Sequence, residues 1–364
     1  MFDLDHAVQI SLIGQVRFML ARTGTYSRLL AVSWLMIMPA VLQAQSQSPV
    51  ISQASINDDA DWTGYQWEKR VEADLVEEKF DDLDRMADKY RREKTRLPGG
   101  VWKLRAFYEL LDAPRLSDSD SEAHLAHLQK WAAARPDSIT ARIALAASLT
   151  RWAWVARGHT YANKVSPEGW RLFKERGEQA AAILESAANL TTPDPQYYSQ
   201  SIEVGLEQHW NTGRVRDAFE RGLQLEPGYY YLYKQFANYQ LPKWYGKPGQ
   251  SAQFAKDEAD QAGGDAGDQI YYHVATELVA RGDDEFSPQQ LDWQRIQRGY
   301  ASISAQYGVS ERMKNDLAYM AWKYQDVGVA ASQFALIGDR WSRTVWGNRE
   351  FFDKIRDWSR GLNN

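Results

Sequence analysis

Apolar positions recur along this chain at steps of three and four, the spacing of one face of an α-helix. Val76, Phe80, Leu83, Ala87 and Tyr90 form such a series, with Asp81, Asp82, Asp84, Arg85, Lys89 and Arg91 falling outside it. Val215, Ala218, Phe219, Gly222 and Leu223 repeat the pattern until Pro227-Gly228 stops it, because proline lacks the N–H that a helix needs and glycine is a common exit. The same reading predicts helices over about 100–112, 120–135, 138–157, 167–190, 195–210, 229–241, 250–262, 267–281, 288–306, 310–326, 329–340 and 347–360. No stretch sustains the period-two alternation of a half-buried strand, so the predicted fold class is all-α.

The breakers between these segments are short: Leu97-Pro98-Gly99-Gly100, Arg135-Pro136-Asp137-Ser138, Thr192-Pro193-Asp194-Pro195, Glu226-Pro227-Gly228 and Ser287-Pro288. Short loops make successive helices antiparallel neighbours. Two helix ends share offsets, Leu128, Trp131, Ala132, Ala134, Pro136 and Phe219, Gly222, Leu223, Leu225, Pro227. They resemble the tail of the second helix of a tetratricopeptide unit, where a large residue, a small one and a helix-ending proline recur. Glu77 to Leu83 is similar to the turn between that unit's two helices. Trp131 stands where the repeat wants a small residue. The expected architecture is therefore an α-solenoid of roughly six or seven tetratricopeptide-like helical hairpins with degenerate repeats.

The amino-terminal part departs from this pattern. Leu29 to Leu42 is one apolar run behind Arg22 and Arg28, and it ends at Gln43-Ala44-Gln45. A basic region, an apolar core and a small residue at the cut make a secretory signal peptide. The run contains Pro39 and falls short of the ~20 residues that span a bilayer. The domains then read as a signal peptide over 1–44, a polar Ser/Gln/Asp linker over 45–61 and a helical repeat domain over 62–364. Asp3 and Asp5 make an unusual basic region, whereas a start at Met19 gives a signal peptide of ordinary shape. An uncleaved amino-terminal anchor is the alternative, and export holds under both. The expected location is periplasmic or secreted, with no stable transmembrane anchor after processing.

Composition acts mainly by exclusion. The absence of cysteine removes disulfides, thiolate nucleophiles, Cys-ligated metals and a lipid-anchor cysteine. The net charge is -5, and the cations are dispersed among acids, which argues against a nucleic-acid partner. Of fifteen tryptophans, the fourteen from Trp62 to Trp358 read as fillers of wide gaps between helices; stacking surfaces for sugars or peptides are the sharper alternative.

Three sets of motifs carry a closer resemblance. They are Gly100-Val101-Trp102-Lys103-Leu104 with Phe107-Tyr108; Pro136-Asp137-Ser138 through Ala141-Arg142 to Arg151-Trp152-Ala153-Trp154 and Ala156-Arg157-Gly158; and Leu241-Pro242-Lys243-Trp244-Tyr245-Gly246 with Phe254-Ala255. Taken in order they are similar to a bacterial family, domain of unknown function 4034, over about residues 75–280. That family has no assigned activity, so the resemblance supports the fold and implies no chemistry.

Catalytic and metal patterns find little purchase. His124 and His127 beside Glu122 lack a third ligand. Asp118 to Glu122 has Ala123 where a calcium loop needs glycine, and reads instead as a turn with Ser121 capping a helix. The run Ala262 to Asp268 lacks the Lys-Ser/Thr of a phosphate loop, and no Gly-x-Ser-x-Gly is present. No metal and no cofactor is expected. Glu203 and Glu207 share a helix face, as carboxylates do on any solvated helix. The candidate binding residues are Trp152, Trp154 and Arg157, two turns of one helix, and Lys243, Trp244 and Tyr245, in a loop bracketed by Pro242 and Pro248. Core packing is the competing reading for Trp152 and Trp154. The function expected is an exported, non-catalytic protein that binds a peptide, a protein or a cell-envelope component. The alternative is a glycan-active enzyme on an all-α toroid of paired helices.

Overall fold

The helical periods of the sequence become helices, most of them begun by a local side-chain cap. The computed structural model describes residues 64–113, 117–158, 162–281 and 290–362, so the signal peptide and linker expected over 1–61 lie outside the described residues. In order the helices are α1 (Gly64–Val76), α2 (Phe80–Glu93), α3 (Lys103–Leu111), α4 (Asp118–Ala134), α5 (Ile139–Arg157), α6 (Pro167–Ala187), α7 (Pro195–Glu207) and α8 (Thr212–Leu225). They continue as α9 (Tyr231–Tyr239), α10 (Gln250–Ala262), α11 (Gly264–Arg281), α12 (Trp293–Tyr307), α13 (Glu311–Lys323), α14 (Val327–Ile337), α15 (Arg343–Trp346) and α16 (Arg349–Ser359).

Side-chain oxygens of Ser138, Ser166, Asp194, Asn211, Asp292 and Ser310 accept the backbone N–H two or three residues on, which satisfies a donor that the first helical turn leaves open. Ser121 does not cap α4. Ser117 accepts from the Asp120 N–H, while the Ser121 hydroxyl lies inside the first turn and donates to the Ser117 carbonyl. Val76 also leaves its predicted series: α1 ends there, Val76 is exposed, and only Phe80, Leu83, Ala87 and Tyr90 form the buried stripe of α2.

Two turn types recur. Lys79, Trp210 and Asp326 donate their N–H to the carbonyls of Asp74, Gly205 and Ala321, five residues back. In each, the residue before the donor, Glu78, His209 or Gln325, adopts a left-handed backbone, the usual way of ending a helix with its last carbonyls paired. The Pro136 and Pro227 turns form the second type, with Ser138 and Tyr229 donating to the carbonyls of Arg135 and Glu226. These are the two helix ends whose sequence offsets coincide.

A small departure from all-helical structure lies between α2 and α3. Arg96–Leu97 pairs antiparallel with Val101–Trp102, strands too short to leave an alternating pattern. Gly99 and Gly100 turn the hairpin with positive φ. The Gly99 N–H donates to the Gly308 carbonyl at 3.0 Å, and a Cβ on Gly99 would lie 2.7 Å from the Ser310 hydroxyl. The hairpin thereby seats against the start of α13.

Neighbours in sequence pack as pairs, α5 on α6, α7 on α8, α11 on α12 and α13 on α14. The odd-numbered helices from α3 to α13 also touch one another in succession. Apolar side chains gather in three clusters. One joins α1 to α6, a second runs from Trp102 through α7 to α13, and a third closes α13 to α16. Trp131, the tryptophan that breaks the small-residue rule, is fully buried and stacks on Phe80 with ring centroids 6.1 Å apart. Among the described residues no helix is long and apolar enough to cross a membrane.

Candidate functional site

Gln200, Glu203 and Glu207 follow one another on α7 at steps of three and four, which places them on one face. Polar groups from other odd-numbered helices act on that face: Arg105 of α3 and Asp112 just after it, Arg151 and Trp154 from α5, Gln235 from α9 and Arg281 from α11. Glu203 is their electrostatic hub. Its charge acts on Arg105, Asp112, Glu207 and Arg281, and the Gln235 side-chain N–H donates to it at 3.5 Å.

Arg105 is buried. It pairs with Glu109 at 3.0 Å and Asp112 at 3.9 Å, and its guanidinium lies 5.6 Å from the Tyr231 ring centroid. Lys234 pairs with Glu277 at 3.0 Å, and Arg281 pairs with the same carboxylate. Burial raises the Glu277 carboxyl, but Lys234 and Arg281 together bring it down to about 2. Glu207 has the opposite fate. Burial, with Glu203 beside it, holds its carboxyl well above the usual carboxylate range, against the opposing influence of Trp154 and Arg151.

The Trp154 indole N–H donates to Glu207. Its ring packs edge-on against Phe173 at 5.0 Å and Trp244 at 6.0 Å. Lys243 donates to the Arg281 carbonyl at 2.5 Å, so the loop after α9 joins the same wall. Gly246 makes that loop possible, since a Cβ there would lie 1.7 Å from the Gln240 carbonyl oxygen.

Polar atoms of this region are poorly satisfied. Among the described residues, ten buried side-chain atoms lack a hydrogen-bond partner, and six of them are Arg151 Nε, Gln200 Oε1, Glu207 Oε2, Asn238 Oδ1, Gln240 Nε2 and Trp244 Nε1. Interiors normally pair such groups, and their concentration on α5, α7, the end of α9 and the following loop distinguishes this face from an ordinary helix interface.

The six residues singled out from sequence divide. Trp154, Lys243 and Trp244 meet at this face. Trp152 turns away to donate to Asp118 at 2.8 Å, with the Arg176 guanidinium 3.3 Å from its ring centroid. Arg157 is buried, with its guanidinium 5.5 and 5.3 Å from the Trp154 and Trp170 rings. Tyr245 stacks on Tyr239 at 4.6 Å, donates to the Leu206 carbonyl at 3.0 Å and accepts from His209. The loop is less detached than its prolines suggest: Trp244 is half-buried and packs against the central apolar cluster.

Sequence reasoning passed over Arg105, Asp112, Arg151, Lys234, Gln235, Glu277 and Arg281, and treated Glu203 and Glu207 as a solvated pair. The available signal was ionic and amide residues in register with buried positions, as Gln200 and Glu207 are with Val204 on α7. The paired histidines are structural in part, His124 Nε2 sitting 2.6 Å from the Leu111 carbonyl. Among the described residues no group of three or more His, Asp or Glu is arranged to hold a metal ion.

Asp112 gives this face a pH signature. Burial pushes its carboxyl up to about 6, with Arg105 and Arg151 opposing and Glu203 and Glu109 adding to the rise. An unfolded aspartate titrates near ~3.9, so Asp112 takes up a proton on folding. Its contribution to stability is present below ~4 and is lost as pH rises through about 6. Two pK units correspond to about 3 kcal/mol. Urea denaturation should therefore show wild type losing roughly 2 to 3 kcal/mol relative to Asp112→Asn between pH 4 and 7; parallel profiles would mean that folding does not raise the Asp112 carboxyl.

Residues 70–195 match the model of a protein family described as Domain of unknown function (DUF4034). The match takes in the motifs at 100–108 and 136–158 and stops before Leu241-Gly246, so the third motif lies outside it. No curated protein and no solved structure matches the chain.

Proposed function

We propose that this chain, whose residues 70–195 match a family without assigned activity, is an exported binding protein. In this reading it recognises a peptide or protein, of the cell envelope or bound for it, along the polar face of its odd-numbered helices, and it performs no catalysis of its own. The observation that carries the reading is the cluster of unpartnered buried polar atoms beneath a half-exposed rim of Arg151, Trp154, Glu203, Gln235 and Trp244. A purely structural interface would be expected to pair or exclude such groups. The recurring left-handed turns and the side-by-side odd helices support a tetratricopeptide-like order, in which one helix of each pair contributes to a common surface. The charged groups suit a polar segment, and the Trp154–Trp244 pair offers it an apolar anchor.

A glycan-active enzyme is the second reading, favoured by one observation: Glu207, its carboxyl held well above the usual carboxylate range by burial, stands one turn from Glu203 beside the Trp154–Trp244 pair. Glycosidic chemistry pairs an acid and a base about 5 to 10 Å apart across a cleft. Against it, both Glu207 oxygens are enclosed, one held by the Trp154 indole and the other buried, so the acid has no path to a leaving-group oxygen. Release of reducing ends from purified cell-wall glycan, lost on Glu207→Gln, would establish the enzyme. The binding reading is tested by where on the surface a partner captured from extract can be cross-linked.

A further inference from the structure

At the carboxyl end of α3 a narrow, half-open cleft of about 20 Å³, wide enough at its base for a carboxylate-sized group, lies between α3, α4 and α5. Its walls include Asp112, His124, Ser148, Arg151, Trp152 and Val155. Several of these groups are already committed. Ser148 donates to the Leu111 carbonyl at 2.9 Å, His124 lies 2.6 Å from the same oxygen, and the Trp152 indole donates to Asp118 while its ring carries the Arg176 guanidinium. The walls are therefore held in place before anything enters.

Arg151 is different. Its approach to Asp112 is 4.0 Å, too long for a hydrogen bond, and its buried Nε has no partner. Asp112 is itself shared with Arg105 at 3.9 Å, so one carboxylate stands between two guanidiniums. A guanidinium offers five N–H groups in a fork shaped for a carboxylate. Beside it Val155 lines the same cleft with half its surface exposed, an apolar wall next to a guanidinium that Asp112 holds only at long range.

We propose that this cleft binds a carboxylate attached to a short apolar group, with Arg151 receiving the anion and Val155 and Trp152 flanking the apolar part. That chemistry is offered by a free branched-chain acid and by the carboxyl terminus of a peptide. The inference goes beyond the binding reading above and does not need it, because the cleft takes a small anion whether or not a larger partner lies along the odd-helix face.

The test is titration of the full chain with N-acetyl-alanyl-valine, its carboxyl-terminal amide and isovalerate, followed by calorimetry and saturation-transfer NMR. The acid peptide should bind saturably, with the amide at least about tenfold weaker, since charge-assisted pairing to a guanidinium is lost. Isovalerate binding as tightly as the peptide identifies a small acid as the natural source; peptide binding alone identifies a chain terminus. Arg151→Gln should lose roughly tenfold or more, and Val155→Asp, at an exposed position that leaves folding intact, should do the same by placing an anion in the cleft. Equal binding of acid and amide, no saturation by either acid in the tens of millimolar, or wild-type affinity in both variants overturns the proposal.

Discussion

Replacing Asp194 with Ala is expected to destabilise the fold by about 3 to 5 kcal/mol, the loss typical of stranding one partner of a buried ion pair. Asp194 is almost completely buried and accepts from Arg91 at 2.5 Å, the Tyr108 hydroxyl at 2.6 Å and the Gln196 N–H at 2.8 Å. Arg91 also donates to Thr140 at 3.0 Å. One carboxylate therefore ties α2, α3 and α5 to the start of α7, and all of its side-chain partners fall within the family-matched residues 70–195. Without it, Arg91 keeps only Asp88 as an anionic partner, at the edge of solvent. Asp194→Asn keeps an acceptor for the cap and should lose less. Urea denaturation of both variants reads the difference; a loss below ~1 kcal/mol for Asp194→Ala would mean that this network does not organise the domain.

Asn315→Ala should cost a similar amount, roughly 3 to 5 kcal/mol, but locally. Asn315 is fully buried on α13. Its Oδ1 accepts from the Trp346 indole at 2.7 Å and the Ser342 N–H at 3.0 Å, and its amide donates to the Glu311 and Arg340 carbonyls. Removing it leaves two buried donors unpaired, each costing about 1 to 3 kcal/mol. Those donors fix the segment carrying α15, and Trp346 in turn packs on Phe334, Phe351 and Phe352. The variant should open α15 and α16 while α2 to α9 stay protected, which hydrogen exchange resolves. Uniform loss of protection along the whole chain would instead make the carboxyl-terminal cluster part of one cooperative unit.

Helix positions were legible because their causes are local. Ser138, Ser166, Asp194 and Asn211 announce their own helices, and Pro136 and Pro227 end the preceding ones. Val76 misled because the α1–α2 turn rests on the left-handed backbone of Glu78, a conformation glutamate seldom signals. The strands at Arg96–Leu97 and Val101–Trp102 left no period to read, since two residues cannot alternate. The candidate site was harder. Trp154 and Trp244 were both conspicuous, but their meeting at 6.0 Å joins residues ninety positions apart. Glu203 and Glu207 looked like any carboxylates on a helix, because a residue's face can be inferred from its spacing whereas burial beneath neighbouring helices depends on tertiary packing. Trp152, Arg157 and Tyr245 show the converse, since aromatic and cationic character alone does not say which way a side chain turns.

On the proposed reading a partner meets the odd-helix face and not the outer surface. A photoreactive phenylalanine analogue in place of Gln235, half-exposed on α9, should cross-link to a discrete partner when the chain is incubated with envelope extract and irradiated. The same analogue in place of Lys174, whose side chain on α6 is 76% exposed, should give none, although it is more accessible. Both variants should melt within ~1 °C of wild type, since neither position is a core site. Adducts formed from Lys174 and absent from Gln235, in proteins that melt normally, would put the partner on the outer surface and overturn the binding reading of the odd-helix face.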